Sequence, residues 1–261
     1  MAIRAEGITL GYGDKRIIED LDIHIPAGSF CSVIGPNGCG KSTLVKGLSR
    51  NLKLLSGSVE INNTSLRSFD TKLLAKKLAY VAQAPHIPDQ FAVKELVAHG
   101  RFPHLHWMGR LTAHDHEVIA WAMEMTEISR YAERELTQLS GGERQRAWIA
   151  MALAQEAEIL LMDEPTTYLD IAHQFQTLEL VDRLQKETNR TVLMVLHDLN
   201  QAARYSDKIF VMHEGRLVAQ GRPEEIMTSE LLQDVFSIET RIIRDEDHDC
   251  PFFIPLRGRR A

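Results

Sequence analysis

The sequence has few of the features that mark an extracellular or membrane-spanning protein. Only three of its 261 residues are cysteine, and Cys31, Cys39 and Cys250 follow neither a metal-ligand nor a disulfide spacing, which favours a reducing cytoplasm. The longest uninterrupted apolar run, Ala147 to Ala154, is far shorter than the roughly 18 residues that a membrane span requires. The first residues also have no continuous apolar core of the signal-peptide kind. We therefore expect a soluble chain that could dock on a membrane protein.

A positive charge excess is also absent. The formal net charge is -6, whereas a general nucleic-acid binder normally presents a basic face, so we expect no nucleic-acid partner. The hydrophobic fraction of 44% and the charged fraction of 25% are ordinary for a globular protein and argue against disorder. The length allows one large domain, or a core with a smaller lobe.

Strand-like and helix-like segments alternate along the chain. Phe30–Ile34 is apolar almost throughout, as expected of a strand that is buried on both faces. Apolar residues recur every three or four positions between Val93 and about Met125, which predicts helices, and alternation resumes after Ala154. This order predicts an α/β fold with a mostly parallel sheet and helices on both faces. The other early segments that predict strands are Ile3–Leu10 and Leu21–Ile25.

Residues 35–42 form a glycine-rich loop with the pattern G-x-x-x-x-G-K-[ST] between a predicted buried strand and the predicted helix KSTLVKGLSR. Glycines let successive backbone N–H groups converge on phosphate oxygens, and the helix N-terminus adds partial positive charge. We expect Lys41 to reach the β- and γ-phosphates of a nucleotide and the Ser42 hydroxyl to bind Mg²⁺. The residues predicted to contact the nucleotide here are Gly35, Pro36, Asn37, Gly38, Cys39, Gly40, Lys41, Ser42 and Thr43.

Two acids follow the apolar segment that begins at Ile159. We expect Asp163 to lie near Ser42 and hold Mg²⁺, and Glu164, one residue further, to polarise an attacking water. An acid pair at a strand end can instead be solvated or cap a helix. His197 ends the segment TVLMVLH at the edge where open α/β sheets bind ligands, although a lone histidine is more often structural.

The most specific segment is Leu139-Ser140-Gly141-Gly142-Glu143-Arg144-Gln145. Ser140 is a good N-cap and the paired glycines expose backbone N–H groups, so the segment predicts a second anion site at a helix start. It resembles the LSGGQ-type signature of ABC ATPases, and the resemblance covers nearly the whole chain. In that family the signature of one subunit covers the γ-phosphate of ATP that is held by the loop of the other. The resemblance thus implies a head-to-tail homodimer with two composite sites for ATP and Mg²⁺.

Further positions resemble family elements in the expected order. Tyr12 resembles the aromatic residue that stacks on adenine, and Gln83 resembles the glutamine that contacts Mg²⁺ and the water. Residues 167–170 stand where the family usually has the sequence SALD. Asp170 matches its aspartate, while Tyr168 replaces the usual small residue. His197 resembles the switch histidine that contacts the γ-phosphate. The resemblance implies catalytic roles for Glu164, His197, Gln83 and Lys41, nucleotide contacts by Tyr12, Ser140, Gly141, Gly142 and Asp170, and metal contacts by Ser42, Gln83 and Asp163.

The resemblance also implies a fold and a division of the chain. It implies a P-loop NTPase (RecA-like) core with a mostly parallel sheet, an N-terminal antiparallel β subdomain and an α-helical ABC subdomain. We expect one ABC ATPase domain over residues 1–245. Residues 86–154 are expected to form the helical subdomain, which includes the signature motif, and residues 1–85 and 155–245 the core and the β subdomain. Residues 246–261 remain a tail without an assigned structure.

Two short runs suggest the transported cargo. The segment Val93–His104 is similar to the V-x-E-L-V…GR-x-P-H run of iron–siderophore importer ATPases, and Leu169–Gln174 matches the LDIAHQ of that group. The resemblance implies an ATPase at the cytoplasmic face of the membrane, a permease that docks on the helical subdomain, and a substrate-binding protein that acts indirectly. Importers of cobalamin, haem or zinc remain alternatives, as does a soluble ABC ATPase that acts on nucleic acid or ribosomes.

Histidines and terminal arginines have competing interpretations. The two histidine pairs in the helical segment, His104 with His106 and His114 with His116, could form a metal-sensing patch. Without a nearby cysteine or carboxylate cluster, such histidines are more often surface or packing residues. The terminal arginines are expected to be a solvated tail, with contact to anionic lipid as the alternative. These residues are His104, His106, His114, His116, Arg257, Arg259 and Arg260.

Overall fold

The structure, a computed structural model, describes residues 1–83, 91–105 and 109–258. His106, Arg259 and Arg260 lie outside the described residues. The chain divides into two compact units, Met1–Arg67 with Thr191–Ala261, and Ser68–Arg190. Within the described residues, every helix is too short or too polar to span a bilayer.

The first unit contains an antiparallel sheet. Strand β1 (Ile3–Tyr12) pairs with β2 (Lys15–Ile25) on one side and with β4 (Ser56–Ile61) on the other, and β4 continues to the short β5 (Thr64–Ser65). The pairing sets Ile3 opposite both Ile25 and Ile61, all of them buried. This sheet is the predicted N-terminal antiparallel β subdomain.

A second set of strands in the first unit is mostly parallel. Strand β3 (Phe30–Ile34) lies between β8 (Thr191–Val195) and β9 (Lys208–His213) and is parallel to both, while β10 (Arg216–Gly221) returns antiparallel to β9. Every residue of β3 is buried, as its apolar run predicted, and every residue of β8 is buried as well. The helices of this unit are α1 (Lys41–Leu48), α7 (Leu199–Tyr205), α8 (Pro223–Ile226) and α9 (Ser229–Phe236).

The C-terminal residues form a hairpin that the sequence did not reveal. Strand β11 (Ile238–Asp245) pairs antiparallel with β12 (Cys250–Gly258), so most of the segment 246–261, left unassigned above, lies in a strand. Asn200 in α7 binds the hairpin through two hydrogen bonds. Its side-chain oxygen accepts from the backbone N–H of Phe253 at 2.7 Å, and its side-chain nitrogen donates to the carbonyl oxygen of Phe253 at 3.2 Å. Phe253 is 3% exposed and anchors the hairpin in the core of the first unit.

The second unit combines two parallel strands with helices. Strand β6 (Leu78–Val81) pairs with β7 (Ile159–Met162). The expected helicity between Val93 and Met125 is present but interrupted, because Phe102–His104 forms a 3-10 turn around Pro103. The boundaries of the helical subdomain at 86–154 stay a prediction. The helices of this unit are α2 (Thr71–Lys77), α3 (Val93–His99), α4 (Ala113–Met125), α5 (Gly141–Ala154) and α6 (Ile171–Thr188), with further 3-10 turns at Ser129–Tyr131 and Leu136–Gln138.

A buried ion pair ties three segments of the second unit together. Arg101 is 1% exposed, and its Nε lies 2.8 Å from a carboxylate oxygen of Asp115 in α4. Its Nη1 donates to the carbonyl oxygen of Ala154, the last residue of α5, at 2.7 Å and to Glu156 at 2.6 Å. Burial alone would raise the pKa of Asp115, but hydrogen bonds from Thr112 and Arg101 outweigh it and lower the pKa.

The histidines of this unit have separate environments. His104 Nε2 contacts the carbonyl oxygen of Gln155 at 2.9 Å, which is a packing role, whereas the side chain of His114 is 66% exposed. The described residues contain no group of three or more His, Cys, Asp and Glu side chains that could hold a metal ion. His104 therefore packs against the backbone, and His114 lies at the surface.

Candidate nucleotide site

The glycine-rich loop connects β3 to α1 in the first unit. Gly38 and Gly40 have φ values of 78° and 107°, in the region that favours glycine. A Cβ atom at Gly35 would collide with the carbonyl oxygen of Met212 in β9. Only glycine therefore fits at position 35, where the loop passes this strand. These positions curl the backbone around the start of α1.

Lys41 is held inside this loop. Its ammonium donates to the carbonyl oxygens of Gly35 at 2.8 Å and Pro36 at 3.0 Å, and the residue is only 4% exposed. Gly40 is the N-cap of α1 and offers no side-chain cap, so the helix start presents backbone donors instead. A buried cation beside an uncapped helix N-terminus has the chemistry that phosphate requires.

Cys39 contributes packing rather than reactivity to the loop. It is 5% exposed, and burial raises the pKa of its thiol above 9.0, although the neighbouring Lys41 acts in the opposite direction. The thiol is therefore neutral at pH 7. Its sulfur would crowd a Cβ atom at Gly35, so it also packs against the loop's first glycine.

Two other predicted site residues belong to the first unit. Tyr12 ends β1 and is 49% exposed, so its ring is available for stacking. His197 is exposed two residues beyond the end of β8. Because β8 and β3 are parallel neighbours, with Val33 opposite Val195, His197 and the glycine-rich loop emerge at the same sheet edge.

The predicted carboxylates of the second unit follow β7. Asp163 is 2% exposed, and Tyr80 Oη donates to its Oδ2 at 3.4 Å. Glu164 has a φ of 52°, a left-handed conformation that a non-glycine residue adopts only when its surroundings impose it. Its Oε2 accepts hydrogen bonds from Gln83 Nε2 at 2.5 Å and from Thr167 Oγ1 at 3.1 Å. The fold thus joins Gln83 and Glu164, two residues that the sequence placed 81 positions apart.

The start of α5 is capped as its sequence predicted. Ser140 Oγ accepts from the backbone N–H of Glu143 at 3.3 Å, and the Glu143 carboxylate accepts from the backbone N–H of Ser140 at 2.8 Å. A hydrogen bond from Tyr131, followed by those from Ser140, lowers the pKa of Glu143 to about 2. Ser140 and Gly141 are exposed, while Gly142 is buried.

Asp170 has a local structural role. It is the N-cap of α6, and its Oδ1 accepts from both the backbone N–H of His173 at 2.9 Å and the ring Nδ1 of His173 at 2.8 Å. Sequence reasoning missed His173 and Thr167 as neighbours of site residues. The i, i+3 spacing from Asp170 to His173 was the available signal for the first.

A curled glycine-rich loop, a buried lysine and an uncapped helix start define a P-loop nucleotide-binding protein. The sequence profile of the ABC transporter family matches residues 18–167. The chain belongs to this family, and it is an ATP-binding member.

Relatives match along nearly the whole chain. The iron(3+)-hydroxamate import ATP-binding protein FhuC of Bacillus subtilis (strain 168) is 49% identical over 96% of this chain and 93% of its own length. The ferric enterobactin transport ATP-binding protein FepC of Escherichia coli (strain K12) is 45% identical over 99% of this chain and 95% of its own.

Solved structures share the fold. An ABC transporter assigned to the metal-chelate type, in an inward-facing conformation, superposes with a TM-score of 0.85 at 28% identity over 98% of both chains. The dimeric bacterial ABC transporter cassette MJ0796 superposes with a TM-score of 0.74 at 28% identity over 84% of this chain and 98% of its own. The predicted α/β fold, with its antiparallel and helical subdomains, is confirmed.

Proposed function

We propose that the chain is the ATP-hydrolysing subunit of a binding-protein-dependent ABC importer for a ferric siderophore and powers a separate membrane permease. The observation that carries the hydrolytic activity is the strained Glu164, whose carboxylate is aligned by Gln83 and Thr167. The cargo is supported by relatives whose names specify iron(3+)-hydroxamate import, petrobactin import and ferric enterobactin transport. These names favour a siderophore over cobalamin, haem or zinc.

Nucleotide binding is assigned to the loop Gly35–Thr43 and to Tyr12. Backbone N–H groups of the loop and of the first turn of α1 bind phosphate oxygens, and Lys41 neutralises their charge. Tyr12, half-exposed at the end of β1, stacks on the adenine.

Hydrolysis is assigned to Glu164, which orients the attacking water and accepts its proton. Lys41 and His197 stabilise negative charge on the transferring phosphoryl group. Mg²⁺, when bound, would neutralise charge on the phosphate oxygens, and Ser42, Gln83 and Asp163 provide the oxygen ligands that this cation prefers. Gln83 also holds the Glu164 carboxylate in place in the structure, at 2.5 Å.

The second anion site at Ser140–Gly142 is assigned to the nucleotide of a second copy. Two copies then pair head to tail, and each ATP lies between the loop of one protomer and the signature turn of its partner, with Asp170 beside that turn. The dimeric structure of the cassette MJ0796 supports the pairing of two copies. The permease docks on the helical subdomain at the cytoplasmic face of the membrane, where the chain is peripheral, and the substrate-binding protein acts through the permease.

The test is reconstitution with the permease. The subunit is co-purified with a candidate permease, and ATP hydrolysis is measured with binding proteins loaded with a ferric siderophore, cobalamin, haem or zinc. We expect only the ferric-siderophore complex to stimulate hydrolysis, and Glu164→Gln to abolish the stimulation. Stimulation by another cargo would overturn the siderophore assignment. Failure to associate with any permease, together with hydrolysis stimulated by nucleic acid or ribosomes, would overturn the transport function.

A further inference from the structure

The signature turn rests on the start of α6 in the second unit. A Cβ atom added at Gly142 would overlap the imidazole ring of His173, with Cδ2 and Cγ as the nearest atoms. A Cβ atom at the adjacent Gly141 would only touch Leu169, at 3.5 Å. The two glycines therefore differ: a Cβ atom at Gly141 would make only ordinary van der Waals contacts, whereas Gly142 lies directly against the histidine ring.

His173 is held in one orientation. Asp170 Oδ1 accepts from both the backbone N–H and the ring Nδ1 of His173, at 2.9 and 2.8 Å. The backbone bond caps α6, and the ring bond favours one orientation of the imidazole. In this orientation the ring packs against Gly142.

The other side of the turn is open. Ser140 and Gly141 are exposed, and the adjacent Tyr168 and Ile171 are 87% and 73% exposed. Gly142 is therefore buried against His173, while Ser140 and Gly141 at the front of the turn are exposed.

We propose that His173 is a positioning residue for the composite ATP site. Its imidazole, oriented by Asp170, fixes the backbone of Gly142 so that the start of α5 meets the phosphate of the nucleotide held by the partner. This inference rests on the proposed head-to-tail dimer. In this proposal the role of Asp170 is to orient the imidazole ring. Residue 142 is then glycine for two reasons: a side chain would overlap the ring, and it would also obstruct the approach of the phosphate.

The proposal predicts that replacing His173 weakens contact with the nucleotide of the partner and leaves ATP binding by the chain's own loop unchanged. In the Glu164→Gln background, His173→Ala should weaken ATP-induced dimerisation by on the order of 10- to 100-fold, because the donors lose their alignment. ATP binding by the monomer, measured by equilibrium dialysis at concentrations below dimerisation, should be unchanged. His173→Gln should restore part of the dimerisation, since a planar amide can still donate to Asp170. His114→Ala, which removes an exposed histidine of the same unit, is the matched control.

A double-mutant cycle tests the contact itself. Gly142→Ala should abolish dimerisation in the parent, because the methyl group overlaps the ring, and should be less harmful in His173→Ala, where the space is vacant. Strictly additive effects, or His173→Ala dimerising like the His114→Ala control, would overturn the proposal. Absence of ATP-induced dimers in Glu164→Gln alone would instead refute the dimer on which the inference rests.

Discussion

Replacing Arg101 with methionine removes one partner of the buried ion pair and leaves the other in place. Asp115 is only 4% exposed, so in Arg101→Met its carboxylate keeps its hydrogen bonds from Thr112 and loses its counter-ion. Breaking a buried pair from one side typically costs about 3–5 kcal/mol of unfolding free energy. The carbonyl oxygen of Ala154 also loses its donor, so we expect the upper part of this range.

The matched control is Lys94→Met. Lys94 pairs with Glu133 at 2.6 Å, but the two side chains are 48% and 77% exposed, and such pairs contribute about 0.2–1 kcal/mol. The N–O distances of the two pairs are similar, at 2.8 and 2.6 Å, and their burial differs. Because Arg101 also donates to Ala154 and Glu156, the comparison sets the loss of a buried cluster against the loss of an exposed pair.

Urea unfolding followed by tryptophan fluorescence measures both variants. The three tryptophans, Trp107, Trp121 and Trp148, all belong to the range Ser68–Arg190, so the signal reports the unit that contains both pairs. With a slope of about 2 kcal/mol per molar urea, Arg101→Met should lower the midpoint by roughly 2–2.5 M and Lys94→Met by less than about 0.5 M. Equal shifts of the two urea midpoints would refute the conclusion that the buried Arg101–Asp115 pair stabilises this unit.

A second substitution separates charge from packing. In Arg101→Met with Asp115→Asn the isolated carboxylate is gone, while the amide oxygen can still accept from Thr112. We expect this double variant to be more stable than Arg101→Met alone. If it is less stable by the sum of the single effects, lost packing rather than the unpaired charge explains the destabilisation.

Four further changes test the site. Glu164→Gln should retain ATP binding and lower turnover by roughly 10²- to 10⁴-fold, measured by phosphate release; near-normal turnover would exclude Glu164 as the base. Lys41→Ala should abolish ATP binding in dialysis, because the loop loses its buried cation. Alkylation of Cys39 should be slow without nucleotide, since burial raises its pKa, and slower with ATP; equal rates would argue against its place in the loop. The pKa of Glu143 falls from 4.5 to about 2 on folding, so its contribution to stability is complete above pH 4.5 and is lost as the pH falls to 2. Acid unfolding of Glu143→Gln should depend less on pH in that window.

Local patterns were sufficient for the elements that carry the nucleotide chemistry. The buried run Phe30–Ile34, the glycine-rich loop and the cap at Ser140 each have a signature within a few residues, and the structure reproduces all three. The long helix α6 also carries local signals, because Asp170 caps its start and its apolar residues are periodic.

The C-terminal hairpin escaped prediction because its stability is not local. Pro251, Pro255 and several charges argue against a strand, whereas pairing with β11, the two hydrogen bonds between Asn200 and Phe253, and the burial of Phe253 hold it in place. The contact between His173 and Gly142 was invisible for the same reason. It depends on how two segments pack 31 positions apart, which spacing alone does not encode.

The two helix starts differ in a way that favours shared rather than separate nucleotide sites. The start of α1 has a buried cation, Lys41, and no side-chain cap. The start of α5 has the Glu143 carboxylate on the backbone N–H of Ser140, and the low pKa of Glu143 keeps that carboxylate ionised at neutral pH. A helix start that already holds a negative charge binds a triphosphate poorly by itself. It can still add donors to a nucleotide whose charge is neutralised by the lysine of another copy, and this asymmetry is what the proposed head-to-tail dimer requires.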